Sequence, residues 1–203
     1  MCGRYFLRAS IRDVLKYYFE HVKDKPTLEY EPREIFPSDS IPVVHRGKEV
    51  EKTMHLMKWG FAPSYMNKLL INARSETVAE KKTFSEAFFR RRCLIPASGY
   101  YEWEKVEDST GKIQKIKRTI EVKEREIVSL AGLYDRFQDK NGQLYWAVTI
   151  LTKEASDDVK QVHDRMPVII DRKSENAWLD VYETDYSPLF DIIRHASPRL
   201  KVE

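Results

Sequence analysis

The chain has 203 residues, enough for one sizeable domain with its own hydrophobic core. Its 35 basic and 32 acidic residues leave a net charge of only +3, so bulk charge does not mark a nucleic-acid binder, and such binding would need basic residues gathered on one face. No apolar run is long enough for a membrane span, the start Met1-Cys-Gly-Arg-Tyr-Phe6 lacks the apolar stretch of a signal peptide, and two cysteines make no disulfide framework, so a cytoplasmic chain with free thiols is expected.

Gly3–Leu7 predicts a short strand, after which Ser10 caps a helix to about Phe19 with Asp13 at the favourable third position. Asp24 to Asp39 is rich in proline and charge, which predicts an irregular loop. Ile41–His45 and Thr53–Trp59 read as a hairpin pair around Gly47. Thr83-Phe-Ser-Glu86 has the capping-box pattern and predicts a helix to about Arg92. Cys93–Trp103 predicts one strand, with Pro96 marking a bulge or an edge near its start. Lys105–Arg118 is polar and basic and predicts a mobile hairpin excursion. Ile127–Phe137 and Leu144–Leu151 predict strong strands joined at the turn Asn141-Gly142. A short helix at Ser156–Val162, a strand at Met166–Ile170 and helices at Ser174–Leu179 and Ser187–Ala196 complete the chain. Hairpins mixed with short helices, without a βαβ rhythm, indicate an α+β fold: a single domain over residues 1–203 with a curved or barrel-like antiparallel sheet and peripheral helices.

Cysteine is small enough at position 2 for an aminopeptidase to remove Met1, which leaves Cys2 with a free amine and a thiol on adjacent carbons. Both groups titrate near pH ~8 in model compounds. Together they condense with one aldehyde: the amine forms a Schiff base and the thiol closes it to a five-membered thiazolidine. Many chains carry an early cysteine by chance. Here Gly3 and the strand that follows would anchor the terminus inside the fold.

Three further motifs could serve that group. In Asn72-Ala-Arg74-Ser-Glu76, Asn72 can orient a hydroxyl without titrating and Arg74 can fork onto a phosphate; the bland alternative is a turn asparagine beside a surface ion pair. In Gly99-Tyr-Tyr-Glu102-Trp103, desolvation among aromatics would raise the Glu102 pKa and suit proton shuttling; the alternative is an exposed strand carboxylate. In His163-Asp-Arg165-Met-Pro167, His163 is an acid/base near neutral pH and Arg165 a phosphate contact; the alternative is a histidine bonded to the backbone. Trp59-Gly-Phe-Ala-Pro63-Ser-Tyr65-Met66 is a rigid turn whose tip could stack on bases, with Trp59 and Phe61 expected in the core, as is Cys93. No Cys-x-x-Cys or His-x-x-x-His spacing exists, so no metal or other cofactor is expected.

Taken in order, Cys2-Gly-Arg4-Tyr, Trp59-Gly-Phe-Ala-Pro63, Asn72-Ala-Arg74-Ser-Glu76-Thr, Gly99-Tyr-Tyr-Glu102-Trp103 and His163-Asp-Arg165-Met-Pro167 resemble the SOS response-associated peptidase (SRAP) family of abasic-site processing proteins. The resemblance implies the SRAP fold and a thiazolidine DNA–protein crosslink to abasic sites in single-stranded DNA, with lyase and crosslink-reversal activities. It implies Cys2 as nucleophile with Asn72, Glu102 and His163 around it, and phosphate contacts at Arg4, Arg74 and Arg165. Thr152 would line the pocket and Pro37 would stack near the DNA. The chain departs from the family pattern in three places. Tyr65 and Met66 stand where two tryptophans can occur, Glu34-Ile-Phe36 precedes Pro37 in place of Asn-x-Ala, and Lys82 replaces an arginine, which keeps the charge but loses the fork. A monomer is expected. Two rival classes stay open: a thiol peptidase built on Cys2 and His163, and a single-strand-binding module without chemistry.

Overall fold

A computed structural model describes residues 2–22, 25–46 and 51–203; Met1, Asp24 and the expected hairpin tip at Gly47 lie outside the described residues. Five strands close into a barrel. They are β3 (Ser40–Arg46), β4 (Lys52–Trp59), β6 (Arg92–Ala97), β9 (Val128–Gln138) and β10 (Leu144–Glu154), in the order β10-β4-β3-β6-β9 and back to β10. The expected barrel-like sheet is therefore observed, with one difference. Closure runs through a parallel β4–β10 pair, Ala147↔Lys58 and Val148↔Trp59, while the other barrel pairs are antiparallel. Full closure leaves no barrel edge to be paired by another chain.

The second sheet has the order β13-β8-β7-β1-β2, formed by β1 (Tyr5–Leu7), β2 (Arg33–Ile35), β7 (Gly99–Glu107), β8 (Ile113–Val122) and β13 (Leu200–Val202). The single strand expected over Cys93–Trp103 is two strands. The chain leaves the barrel at Ser98, whose N–H donates to Phe6 O and whose hydroxyl accepts from Arg8 N–H, and Gly99 begins the other sheet. A Cβ at position 99 would stand 2.5 Å from Phe6 and 2.6 Å from the Ile120 carbonyl, so the crossing admits only glycine. The polar Lys105–Arg118 excursion is a regular hairpin of β7 and β8, paired out to Glu107↔Ile113 and closed by the Asp108 carboxylate accepting from Thr110 and Lys112 N–H.

Helix α1 (Ile11–Phe19) starts where predicted, with the Ser10 hydroxyl accepting from Asp13 N–H, and buries Val14, Tyr18 and Phe19. Helix α2 (Ser85–Arg90) starts later than its capping-box pattern indicates. Phe84 precedes it without a side-chain cap, because the Thr83 hydroxyl is bonded to Tyr65 and Glu86 is paired with Arg91. Ser156–Val162 forms successive turns rather than a helix: the Ser156 hydroxyl caps nothing among the described residues, Ser156 N–H goes to the Met166 sulfur, and the Asp158 carboxylate accepts from Leu200 N–H. Met166–Ile170 is split between β11 (Arg165–Pro167), on β10, and β12 (Ile169–Ile170), on β9. Helices α3 (Glu175–Leu179) and α4 (Ser187–His195) close the fold. Among the described residues no helix is long and apolar enough to cross a membrane. Among fully buried side chains, Trp59, Trp178, Tyr5, Tyr100, Phe61 and Phe88 dominate, each contributing roughly 2–3 kcal/mol by burial.

One barrel histidine makes stability pH-dependent. His45 is buried on β3 with Nε2 2.9 Å from His55 Nδ1, and burial first, then the His55 charge, push its pKa down to about 4. The folded state therefore binds fewer protons than the unfolded chain between about pH 6.5 and 4. Stability is retained above that window and falls as pH drops through it, by about 2 kcal/mol from pH 7 to 5. Urea denaturation of wild type and His45→Gln at the two pH values checks this; a variant with the same pH loss as wild type refutes it.

Candidate active site around Cys2

The backbone just before β1 carries Cys2 into the core, where its thiol is fully buried, with Sγ 3.9 Å from Arg4 O. Asn72 opens β5 (Asn72–Arg74), a three-residue strand laid parallel on β10 at Ile150↔Asn72. From there Asn72 Nδ2 donates to the Cys2 carbonyl at 2.9 Å, while Asn72 Oδ1 is buried with no hydrogen-bond partner among the described residues. Glu102 lies on β7, which borders β1, and is only 4% exposed, so the exposed-carboxylate alternative does not hold. Burial pushes the Cys2 thiol well above its ordinary range, and the Glu102 carboxylate is the next largest cause. Cys2, Asn72 and Glu102, far apart in sequence, thus share one desolvated site.

Two tyrosines outside the expected set join them. Tyr5 and Tyr100 pair across β1 and β7, and burial pushes both phenols up, with the charge of Cys2 adding to each. Their hydroxyls are buried without partners among the described residues. Tyr100 stands inside the Gly99-Tyr-Tyr-Glu102 motif, and Tyr5 closes the Cys2-Gly-Arg4-Tyr motif.

His163 leads into β11, beside the part of β10 that carries β5. Its Nδ1 lies 2.9 Å from both Arg165 N and Asp164 Oδ1. The Arg165 N–H donates to that nitrogen, and the largely solvent-exposed Asp164 carboxylate lies against it as well. The backbone-bonded alternative for His163 is therefore observed.

The expected DNA contacts divide. Arg165 is held by Glu76 in a fork at 2.7 and 2.8 Å and donates to Thr152 O at 2.8 Å, so a phosphate must share or displace Glu76. Thr152 is fully buried, its hydroxyl 3.5 Å from Ala73 O. Arg74 and Lys82 are exposed and make no ion pair among the described residues. Arg4 packs against Phe36 and Trp103, with Glu34 at 3.8 Å, and Pro37 is half-buried in the turn after β2. Tyr65 and Met66 are exposed at the tip of the turn after Phe61, and the Tyr65 hydroxyl shares a 2.7 Å bond with Thr83. Trp59, Phe61 and Cys93 are fully buried, as expected. A cavity of about 900 Å³ lies elsewhere, lined by His45, His55, Arg91, Tyr134 and Trp146 among others, and includes no residue of the Cys2 cluster. That cavity is mostly apolar, whereas a thiol, an amide and a carboxylate gather at Cys2.

A family model described as SOS response associated peptidase (SRAP) matches residues 1–202. Abasic site processing protein YoaM of Bacillus subtilis (strain 168) is 32% identical over 191 residues, covering 91% of this chain and 81% of that protein. Abasic site processing protein YoqW of the same strain is 31% identical over 192 residues, covering 91% of this chain and 83% of its own length. The crystal structure of a phage-related protein from Bordetella bronchiseptica superposes with a TM-score of 0.80 at 24% identity, covering 100% of this chain and 93% of that one, a likeness of fold. With the family model spanning almost every residue, the chain belongs to the SRAP family.

Proposed function

We propose that this chain processes abasic sites in single-stranded DNA by capturing their ring-opened aldehyde on Cys2, once Met1 has been removed. The observation that carries the reading is the meeting of Cys2, Asn72 and Glu102, with Cys2 and Glu102 buried and Asn72 bonded to the Cys2 backbone at 2.9 Å. The names of the relatives, abasic site processing proteins, support the same substrate.

The chemistry follows from what each group can do. The Cys2 amine adds to C1′ of the aldehyde to give a carbinolamine. Protonation of its hydroxyl and loss of water give the Schiff base, with Glu102 and His163 as the proton-moving groups. Sulfur then adds to the imine carbon, and the thiol proton ends on the imine nitrogen, so aldehyde plus aminothiol become thiazolidine plus water. A thiol whose pKa is raised by burial closes the ring only if its proton has somewhere to go, and Glu102 is the carboxylate beside it. Asn72 Oδ1 and the Tyr5 and Tyr100 hydroxyls offer unfilled hydrogen bonds to the sugar oxygens. Arg4, Arg74, Arg165 and Lys82 take phosphates, making capture salt-sensitive, while Thr152 lines the pocket and Pro37, Tyr65 and Met66 contact bases. If ring closure fails, the Schiff base remains an electron sink, and β-elimination gives a lyase outcome.

Intact mass of the protein after incubation with abasic and undamaged oligonucleotides tests this. The expected result is loss of the Met1 residue and a gain of the oligonucleotide mass less one water, confined to the abasic strand. Reversible binding to both strands without a covalent gain would instead favour a plain single-strand-binding module. Cleavage of denatured protein substrates would favour a peptidase.

A further inference from the structure

One exposed aromatic packs against the arginine closest in sequence to Cys2. β1 lies between β2 and β7, with Tyr5↔Ile35 on one side and Tyr5↔Tyr100 on the other, so Phe36, Arg4 and Trp103 fall at the same end of three neighbouring strands. The Arg4 backbone is tied to β7 by Tyr101 N–H donating to its carbonyl. Its guanidinium lies between two rings, 4.5 Å from the Phe36 centroid and 5.0 Å from Trp103. The counter-charge is weakly committed: Glu34 is 3.8 Å from Arg4 and bonds Lys117 more closely at 2.8 Å.

The Phe36 backbone is fixed as well. Its N–H donates to the Asp39 carboxylate and its carbonyl accepts from Asp39 N–H, closing a turn in which Ser38 has φ 77°. Yet Phe36 as a residue remains 42% exposed. A ring held in place by its backbone and by a cation, and still open to solvent, loses little freedom when a base stacks on it.

We propose that Phe36 is a base-stacking and positioning residue: it receives the base next to the abasic nucleotide and, with Trp103, holds the Arg4 guanidinium toward the adjoining phosphate. This rests on single-stranded DNA being the substrate. Phe36 stands outside the bond-making group, so it acts on how the strand is held and leaves the chemical step alone.

The test compares wild type, Phe36→Ala and Phe36→Trp in initial rates of adduct formation across a range of abasic oligonucleotide concentrations. One strand carries ordinary bases beside the abasic site; a second carries baseless tetrahydrofuran spacers there. On the ordinary strand Phe36→Ala raises the half-saturating concentration about tenfold, the plateau rate is unchanged, and Phe36→Trp restores wild-type behaviour. On the spacer strand much of that difference between wild type and Phe36→Ala vanishes, because no base is left to stack. Equal half-saturation of wild type and Phe36→Ala on the ordinary strand overturns the proposal, as does an equal deficit on both strands or a loss confined to the plateau. Non-covalent binding of an undamaged strand by the same three proteins reads the stack without the chemistry. A wild type that forms no adduct therefore defeats the proposed function, while the role of Phe36 is still decided by this arm.

Discussion

Cys2→Ala abolishes the heat-stable adduct with abasic single-stranded DNA while leaving non-covalent strand binding near wild type. The variant keeps an N-terminal amine after loss of Met1, so it still condenses with the aldehyde, but no sulfur remains to close the ring. Its Schiff base is hydrolysable. Heat returns free protein and strand, and borohydride reduction before heating restores a stable covalent product. The persistent imine also channels the strand toward β-elimination, so cleavage at the abasic site rises relative to crosslink. Denaturing electrophoresis with and without borohydride reads all three outcomes. A heat-stable adduct from Cys2→Ala without reductant sinks the thiazolidine assignment. The side chain is fully buried, but exchanging a thiol for a hydrogen on Cβ removes little volume, so folding is retained.

Arg92→Leu has the largest expected cost to stability, about 3–5 kcal/mol. Arg92 begins β6 and is 1% exposed. Nε donates to Trp178 O at 2.7 Å, Nη1 to Phe88 O at 2.8 Å and Phe89 O at 3.0 Å, and Nη2 to Asp180 O. One guanidinium thus collects the carbonyls that end α2 and α3, where helices leave such groups unsatisfied and a cation is favoured. Burial pushes its pKa down only to about 10, so it stays charged at neutral pH. Leucine fills part of the space and strands those carbonyls. Arg92→Lys recovers only part of the loss, because an ammonium lacks the planar fork that reaches them all. Urea denaturation of the three proteins measures the difference; a loss below about 1 kcal/mol for Arg92→Leu contradicts this account.

Much of the local structure was legible because its causes are local. The Ser10 cap, the Asn141-Gly142 hairpin and the long apolar strands on either side of it all depend on neighbours within a few residues, and the structure has them as read. Where the expectation failed, a distant partner overrode a local signal. Thr83 has the right spacing to cap a helix, but its hydroxyl is bonded to Tyr65, well back along the chain. Strands β2, β5 and β13, of three residues each, are too short to show a period, and each exists because a partner strand supplies its hydrogen bonds. The role of Arg92 was invisible for the same reason: a charged residue at a helix–strand junction looks like surface until the ends of two helices converge on it.

The amino-acid order alone determined which chemistries the chain carries: an early cysteine, an amide, a carboxylate and an imidazole in separate motifs, with too little net charge for indiscriminate nucleic-acid binding. The tertiary fold decided which of those groups meet. The β1–β7 pairing and the parallel seating of β5 on β10 bring Asn72 and Glu102 to Cys2, and add Tyr5 and Tyr100. The physical reason is desolvation. A thiol and two phenols acquire their shifted acidities only when water is excluded from all of them at once, and that exclusion belongs to the folded barrel and its companion sheet, not to any segment of the chain.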